Sequence, residues 1–274
     1  MIAHGFFGKL PSLGDFVGRG WANTANDALD KLLQTALEQV LSATDIGKQV
    51  IARAPDVILS IRPGIVAKEG FVLAVVPSED RVGRVFPLCA GVQWDAVSPG
   101  WQMGWPSAYY GWALAACLRR NIESEASADT LLKEIQALGE LGGYGPTFAS
   151  VVGDETVPRL PAEVRTLHVE GPLSNMSATN QSLCVALSES SDLLALCLDD
   201  AGEVRDFAIC RRLASPGALA ALFDGLWDAN GWMSLPVSKR IPSDHGSEVD
   251  DDATQPLLLR IDRAEPPPDS SDTS

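Results

Sequence analysis

The sequence offers three histidines as candidates for acid–base chemistry: His4, His168 and His245. None of them stands in an H-x-x-x-H pattern, so the spacing of a helical zinc site is absent. A hydrolase that uses His4 or His168 with a serine, cysteine or aspartate is conceivable, but no residue nearby in the sequence supports such a pair. A structural role is therefore the simpler interpretation of both histidines.

Motifs for nucleotide binding and acyl transfer are also missing. Gly8-Lys9 resembles the end of a P-loop, but Ala3 and Leu10 occupy the positions of its first glycine and of its Ser/Thr. The run Gly18-Arg19-Gly20 is followed by Asn23 where the dinucleotide pattern needs a third glycine. No G-x-S-x-G elbow occurs. We expect a protein that is not an enzyme and that has no cofactor or metal site.

The five cysteines point to packing and not to chemistry. Their number is odd, they lie in apolar contexts, and no C-x-x-C occurs, so a disulfide framework or a zinc site is disfavoured. The last three are spaced thirteen residues apart, as three strands of a meander would place them. The set consists of Cys89, Cys117, Cys184, Cys197 and Cys210. We expect buried structural thiols, because free cysteine packs as a small hydrophobe.

The net charge of −15 disfavours two classes of partner. Nucleic acids and anionic membrane surfaces both require a basic footprint, so neither nucleic-acid binding nor membrane insertion is expected. No apolar run reaches the roughly 18 residues of a membrane span, and no signal-peptide pattern is present, so a cytoplasmic location is expected. From Ser243 onward, the chain contains nine acidic residues and only two arginines.

Composition divides the chain into three parts. Residues 1–140 form the first predicted domain, and residues 141–237 a C-terminal α+β extension packed on it. Residues 238–274 are rich in Asp, Ser and Pro and predict an acidic, largely disordered tail. The tail holds several serines and threonines accessible to phosphorylation, and one apolar island at 256–261 that could dock.

The periodicity predicts an α+β fold with a mostly antiparallel central sheet flanked by helices. The first half begins with a hairpin over 3–17 and a helix from an N-cap at Asn23 or Thr24 to Leu41. Strands over 56–61, 71–77 and 85–92 and helices over 107–121 and 128–138 complete the order ββαβββαα. The second half predicts strands over 164–169, 182–187, 193–198 and 204–210, then a helix over 216–231.

The segment 77–88 between two apolar strands contains Arg81 and Arg84 and allows two interpretations. It could be a simple turn whose charges pair in solvent, which is worth only about 0–1 kcal/mol for an exposed pair. Alternatively, the two arginines could bind a carboxylate or phosphate group.

An aromatic cluster likewise has two interpretations. Trp94, Trp101, Trp105 and Trp112 lie near Tyr109 and Tyr110, and positions 105, 109 and 112 share one helical face. The cluster could be a lid on the core or an anchor for a partner, since indoles and phenols serve in both.

Two motifs together resemble the TagF (ImpM) family of bacterial type VI secretion-associated proteins. They are Gly8-Lys9-Leu10-Pro11 with Gly14-Asp15-Phe16-Val17, and Pro77-Ser78 with Asp80-Arg81-Val82-Gly83-Arg84 and Phe86-Pro87-Leu88. The resemblance covers the chain to about residue 140. It implies a longin- or SNARE-like N-terminal half and a non-enzymatic, post-translational repressor of the secretion apparatus. The implied partner is the scaffold protein that carries a forkhead-associated domain.

The resemblance also marks the candidate partner-binding or motif residues. These are Lys9, Asp15, Phe16, Ser78, Asp80, Arg81 and Arg84, to which the aromatic cluster adds Trp101 and Trp105. The motif residues could be structural, with Asp15 and the arginines pairing to fix two loops together, or they could face a partner. Two other functions stay open: a longin-like adaptor that binds a peptide or GTPase through a sheet edge, and a hydrolase.

Overall fold

The computed structural model describes residues 3–94, 105–139, 166–170, 191–210 and 216–236. Its strands are β1 (Ala3–Lys9), β2 (Phe16–Arg19), β3 (Val57–Ile61), β4 (Gly70–Val76), β5 (Leu88–Trp94), β6 (Thr166–Glu170), β7 (Leu193–Leu198), β8 (Val204–Cys210) and β9 (Met233–Pro236). Its helices are α1 (Asn23–Ala43), α2 (Gly47–Ala52), α3 (Trp105–Glu123), α4 (Ala128–Ala137), a 3₁₀ helix (Pro216–Ala220) and α5 (Ala221–Asp224).

These strands form one sheet in the order β2-β1-β5-β4-β3-β7-β8-β6-β9. Neighbouring strands are antiparallel except β6 and β9, which run parallel. Strand β3 pairs with β7, with Ile58 opposite Leu196, so the C-terminal strands continue the sheet that the N-terminal strands begin. The predicted α+β class with a mostly antiparallel sheet is confirmed. The boundary predicted near residue 140 stays a prediction.

Helices cover both faces of the sheet. On one face, α3 and α4 contribute Tyr110, Leu114 and Ile135 to a core cluster with Val72 of β4. The opposite face packs against α1, α2 and the Pro216–Asp224 helical segment. Strands β3 and β4 are buried along their whole length, which explains why both read as unbroken apolar runs in the sequence. Among the residues described, no helix has the length and apolarity needed to cross a membrane.

Several predicted elements differ from those observed. Helix α1 begins after Ala22, which makes no side-chain capping bond, and not after a cap at Asn23 or Thr24. The helix predicted over 216–231 is instead a 3₁₀ turn followed by α5, which ends where Gly225 adopts a φ of 68°. The strand predicted over 85–92 begins only at Leu88, and Val85 forms an isolated bridge with Glu79.

Two short elements were not predicted, namely α2 and β9. Each spans six residues or fewer, which is too short for a periodic pattern to stand out. The strand predicted over 182–187 and the tail at 238–274 lie outside the described residues.

The described cysteines are buried, as predicted: Cys89, Cys117, Cys197 and Cys210. Burial raises the pKa of Cys89 to about 12 and that of Cys117 to about 11, so both thiols stay protonated at neutral pH. Cys184 lies outside the described residues.

Substitution of Gly91 tests the central strand pairing. A Cβ there would lie 1.8 Å from the carbonyl oxygen of Val72 on β4, and backbone on both strands would have to move. Gly91→Ala should lower the free energy of unfolding by about 3 kcal/mol or more, as judged by denaturant titration.

Gly14→Ala is the matched control, because nothing lies within 4 Å of a Cβ at that position. It should change the free energy of unfolding by less than about 0.5 kcal/mol. Equal stability of the two variants would contradict the close approach of β4 and β5.

Candidate functional site

The two sequence motifs meet in two loops at one end of the sheet. The first loop, residues 10–15, joins β1 to β2, and the second loop, residues 77–87, joins β4 to β5. Strands β1 and β5 are neighbours, so the loops lie side by side. Gly8 adopts a φ of 138°, and a Cβ there would lie 2.4 Å from the carbonyl oxygen of Pro87. The first motif therefore needs glycine where it packs against the second.

A buried carboxylate, that of Asp80, stands at the centre of the two loops. Its Oδ2 accepts from the Nζ of Lys9 at 3.0 Å and from the Nε of Arg84 at 2.7 Å. Its Oδ1 accepts from the backbone N–H of Val82 at 3.0 Å and of Arg84 at 2.9 Å. Four donors thus converge on one carboxylate, which suits an ionised side chain held in a fixed position.

These contacts decide the charge state of Asp80. Burial acts to raise the pKa of its carboxyl group, but the backbone N–H of Arg84 and the side chains of Lys9 and Arg84 outweigh it. The pKa of Asp80 is therefore held far below its ordinary value of 3.8. The carboxylate is therefore ionised at neutral pH.

Hydrogen bonds join the two loops at three further points. The guanidinium of Arg84 donates to the carbonyl of Gly14, and the backbone N–H of Arg81 donates to the carbonyl of Leu13 at 3.2 Å. The hydroxyl of Ser78 donates to the carbonyl of Lys9 at 2.8 Å. In all three bonds the second loop donates to a backbone carbonyl of residues 9–14, so neither segment can shift without breaking contacts to the other.

An aromatic contact adds to these polar links. Phe16 stacks on Phe7 with ring centroids 5.7 Å apart and meets Phe86 edge-on at 4.7 Å. The Nζ of Lys9 lies 5.1 Å from the centroid of the Phe16 ring, in cation–π geometry. Phe16 nevertheless keeps 42% of its surface exposed.

The structure brings together five of the candidate site residues: Lys9, Phe16, Ser78, Asp80 and Arg84. Three are buried, namely Lys9, Ser78 and Asp80. Arg84 is half-exposed, and its ion pair with Asp80 supports the interpretation of this residue as structural.

Asp15 and Arg81 take positions that the sequence did not predict. The expected pairing of Asp15 with the arginines is wrong: Asp15 is exposed, and its Oδ1 accepts from the N–H of Phe16. Asp80 of the second motif holds Arg84 instead. The side chain of Arg81 is exposed, and among the described residues no carboxylate forms an ion pair with it.

The aromatic cluster is partly core. Trp94 and Tyr110 are buried, and Trp112 packs against the core from a half-buried position. Trp105 begins α3, but its side chain lies outside the described part of the chain, as does the whole of Trp101.

Sequence reasoning missed two exposed apolar side chains on the loops that meet at Asp80. Leu13 is 37% exposed and Val82 63% exposed, and the hydrogen bond from Arg81 to Leu13 places their loops in contact. Leu13, Phe16, Arg81 and Val82 are called the loop surface below. The sequence carries no signal for the exposure of Leu13 and Val82, because an apolar residue in a turn can equally be buried.

A groove borders the same loops. It has a volume of about 410 Å³ and is lined by Pro11, by residues 77–81 and by side chains from α2 and α3, among them Ile122. The hydroxyl of Ser12 donates to the carbonyl of Ala126 at 2.8 Å, which ties the first loop to the turn between α3 and α4.

Comparison with known proteins agrees with the two motifs. Residues 5–138 match the family model of the TagF N-terminal domain, which is type VI secretion system-associated. The chain carries a TagF N-terminal domain. The matched range contains both loops and ends at the close of α4.

One solved structure supports the fold of the chain beyond that range. The crystal structure of PA0076 from Pseudomonas aeruginosa PAO1 matches with a TM-score of 0.56 and 20% sequence identity. The match covers 90% of this chain and 100% of that one, so this TagF-domain protein shares the fold of PA0076 over most of its length. A search of curated proteins found no match.

The depressed pKa of Asp80 predicts a dependence of stability on pH. A carboxyl group whose pKa is lower in the folded than in the unfolded protein stabilises the fold above its unfolded pKa and loses that effect as the pH falls. Between about pH 5 and pH 3, the melting temperature of the wild type should therefore fall more steeply than that of Asp80→Asn.

Asp15→Asn is the control, since this neighbouring carboxylate is exposed and forms no ion pair among the described residues. Its melting temperature should follow the wild-type curve across the same range. Parallel curves for the wild type and Asp80→Asn would show that the Asp80 cluster does not stabilise the fold.

Proposed function

We propose that this protein is a post-translational repressor of type VI secretion system assembly that acts by binding a protein partner. The TagF N-terminal domain supports the link to type VI secretion. The arrangement of the loops supports a binding role. Lys9 and Arg84 both form ion pairs with Asp80, so these three charged groups pair with one another and are not arranged for proton transfer. The repression proposed here needs no catalysis.

The observation that carries the proposal is the exposure of apolar side chains on loops that are held rigidly. Leu13, Phe16 and Val82 leave apolar surface in solvent beside the exposed Arg81. Apolar side chains with an arginine are typical anchors at protein interfaces. Because the Asp80 network already orders both loops, binding at this surface would cost little conformational entropy.

The proposed partner is the scaffold protein with a forkhead-associated domain that the family resemblance implies, and the proposed location is the cytoplasm. A longin-like adaptor that binds through a sheet edge is the alternative. The exposed residues of the loop surface favour the first function, since Phe16, Arg81 and Val82 belong to the TagF motifs themselves.

Deletion of the gene tests the repressor role directly. Secretion of a type VI substrate should rise while transcript levels of the secretion genes stay constant, and complementation should restore the lower level. Unchanged secretion in the deletion strain would reject a repressor function.

A charge placed at Val82 tests the loop surface. Val82→Asp should abolish capture of the scaffold from the cell lysate by the purified chain, because a desolvated carboxylate at an interface is costly. The circular-dichroism melt should stay unchanged, since Val82 is 63% exposed.

Ile46→Asp is the matched control, because Ile46 is 57% exposed and lies between α1 and α2, outside both motifs in the sequence. It should capture the scaffold as the wild type does. If the wild type and both variants all capture the scaffold, the interface lies elsewhere on the protein. If the wild type does not capture the scaffold, the scaffold is rejected as the partner.

A further inference from the structure

Three polar side chains converge where the C-terminal strands pair. His168 lies on β6, Asp206 on β8 and Ser234 on β9, and β6 is the strand between the other two. His168 stands opposite Ser234 in the parallel register of β6 and β9. All three residues lie outside residues 5–138, the range that matches the TagF domain.

The distances form a continuous hydrogen-bonded chain. The Nδ1 of His168 lies 3.2 Å from the Oγ of Ser234, and its Nε2 lies 3.1 Å from the Oδ1 of Asp206. If Nε2 carries the proton and donates to Asp206, Nδ1 is free to accept the hydroxyl proton of Ser234. Ser234, His168 and Asp206 thus stand in the roles of nucleophile, base and orienting acid, with the two ring nitrogens exchanged relative to the usual serine-hydrolase triad.

Packing holds the imidazole in this orientation. His168 is buried, and the indole of Trp227 stacks on its ring with centroids 3.9 Å apart and planes inclined by 6°. The stack covers a face of the ring and leaves the two nitrogens to Ser234 and Asp206. Trp227 is fixed in turn by Trp232, whose ring meets it edge-on at 5.3 Å.

The carboxyl group of Asp206 is ionised, as an acid that orients a histidine must be. Burial acts to raise the pKa of its carboxyl group, but the bonds from His168 and Arg205 outweigh it and hold the pKa below the ordinary value. The Nε of Arg205 donates to Oδ2 at 2.6 Å, so the carboxylate is held from both sides.

The cluster opens into a cleft large enough for a small molecule. The cleft has a volume of about 750 Å³ and is lined by His168, Asp206 and Ser234 together with Arg205, Leu226 and Trp227. Ligand sites in proteins commonly have volumes of about 300–1,000 Å³ and combine an apolar wall with a few convergent polar groups. Ser234 is only half-buried and lines this cleft.

We propose that Ser234, His168 and Asp206 form a hydrolytic site for small carboxylic esters, separate from the proposed repressor surface. The Oγ of Ser234 attacks the ester carbonyl carbon while Nδ1 of His168 takes the hydroxyl proton. The bond from that carbon to the alkoxy oxygen breaks, and Nδ1 returns the proton to the departing alcohol. Water then attacks the acyl-serine, giving its proton to Nδ1, and the carboxylic acid leaves as the Oγ regains a proton. Asp206 is a positioning residue that fixes the tautomer of His168.

A purely structural network would have the same contacts but would not react. Reactivity of Ser234 therefore separates the two interpretations. The full chain is treated with a fluorophosphonate, which transfers its phosphonyl group to an activated serine with loss of fluoride, and the labelled peptide is identified by mass spectrometry. Hydrolysis of p-nitrophenyl butyrate is measured on the same preparation.

Ser234 should be labelled, and Ser234→Ala should lower the hydrolysis rate by about 100-fold or more. Ser42→Ala is the matched control, since Ser42 is exposed on α1 with its hydroxyl bonded to the carbonyl of Gln39. It should keep the wild-type rate. Asp206→Asn should lower kcat with little change in KM, because it keeps the size of a side chain that lines the cleft and disturbs the tautomer of His168.

Three results would overturn the proposal. One is a folded wild type that is not labelled at Ser234, and another is hydrolysis that survives in Ser234→Ala. The third is a rate lost equally in Ser42→Ala. None of these outcomes bears on the repressor role, which depends on the loop surface and is read from secretion and capture.

Discussion

The carboxylate of Asp80 is the interaction on which the proposed binding surface depends. Its four donors come from both motifs, Lys9 from the first and Val82 and Arg84 from the second. A buried ion pair is weak evidence of net stability, because desolvation offsets the attraction, but removal of one partner leaves a charge without compensation. The cluster therefore serves mainly to specify where the two loops lie, and the exposed residues of the loop surface take their positions from it.

The sheet determines which parts of the chain can meet. Strands β1 and β5 are distant in sequence but adjacent in space, so the loops that follow and precede them come together, with Gly8 allowing the backbones to touch. At the other end of the strand order, β8, β6 and β9 bring His168, Asp206 and Ser234 into one cluster. The same sheet thus supports the proposed binding surface within the TagF domain and a separate polar cleft beyond it.

The sequence predicted the elements better than it predicted their contacts. Strands β7 and β8 have the predicted bounds, and helix α4 differs by one residue, because each carries a clear apolar pattern. Both motifs were recognised as a linked pair, yet the pairing acid was expected to be Asp15 and is Asp80, since composition does not say which loop carboxylate turns inward. The contact of His168 with Ser234 depends on a parallel pairing with β9, a four-residue strand that has no periodic signal of its own. Local pattern decides local structure, whereas these contacts depend on strand order.

Amide hydrogen exchange of the wild type and of Asp80→Asn tests the central claim most directly. The bonds from Arg81 to Leu13 and from Arg84 to Gly14 couple the loops, so loss of the Asp80 charge should speed exchange in residues 10–16 and 79–86 together. Exchange in β4 and β5 should stay slow, because their ladder does not involve this carboxylate. Faster exchange in residues 79–86 alone, with the first loop unchanged, would contradict the claim that Asp80 holds the two motifs as one unit.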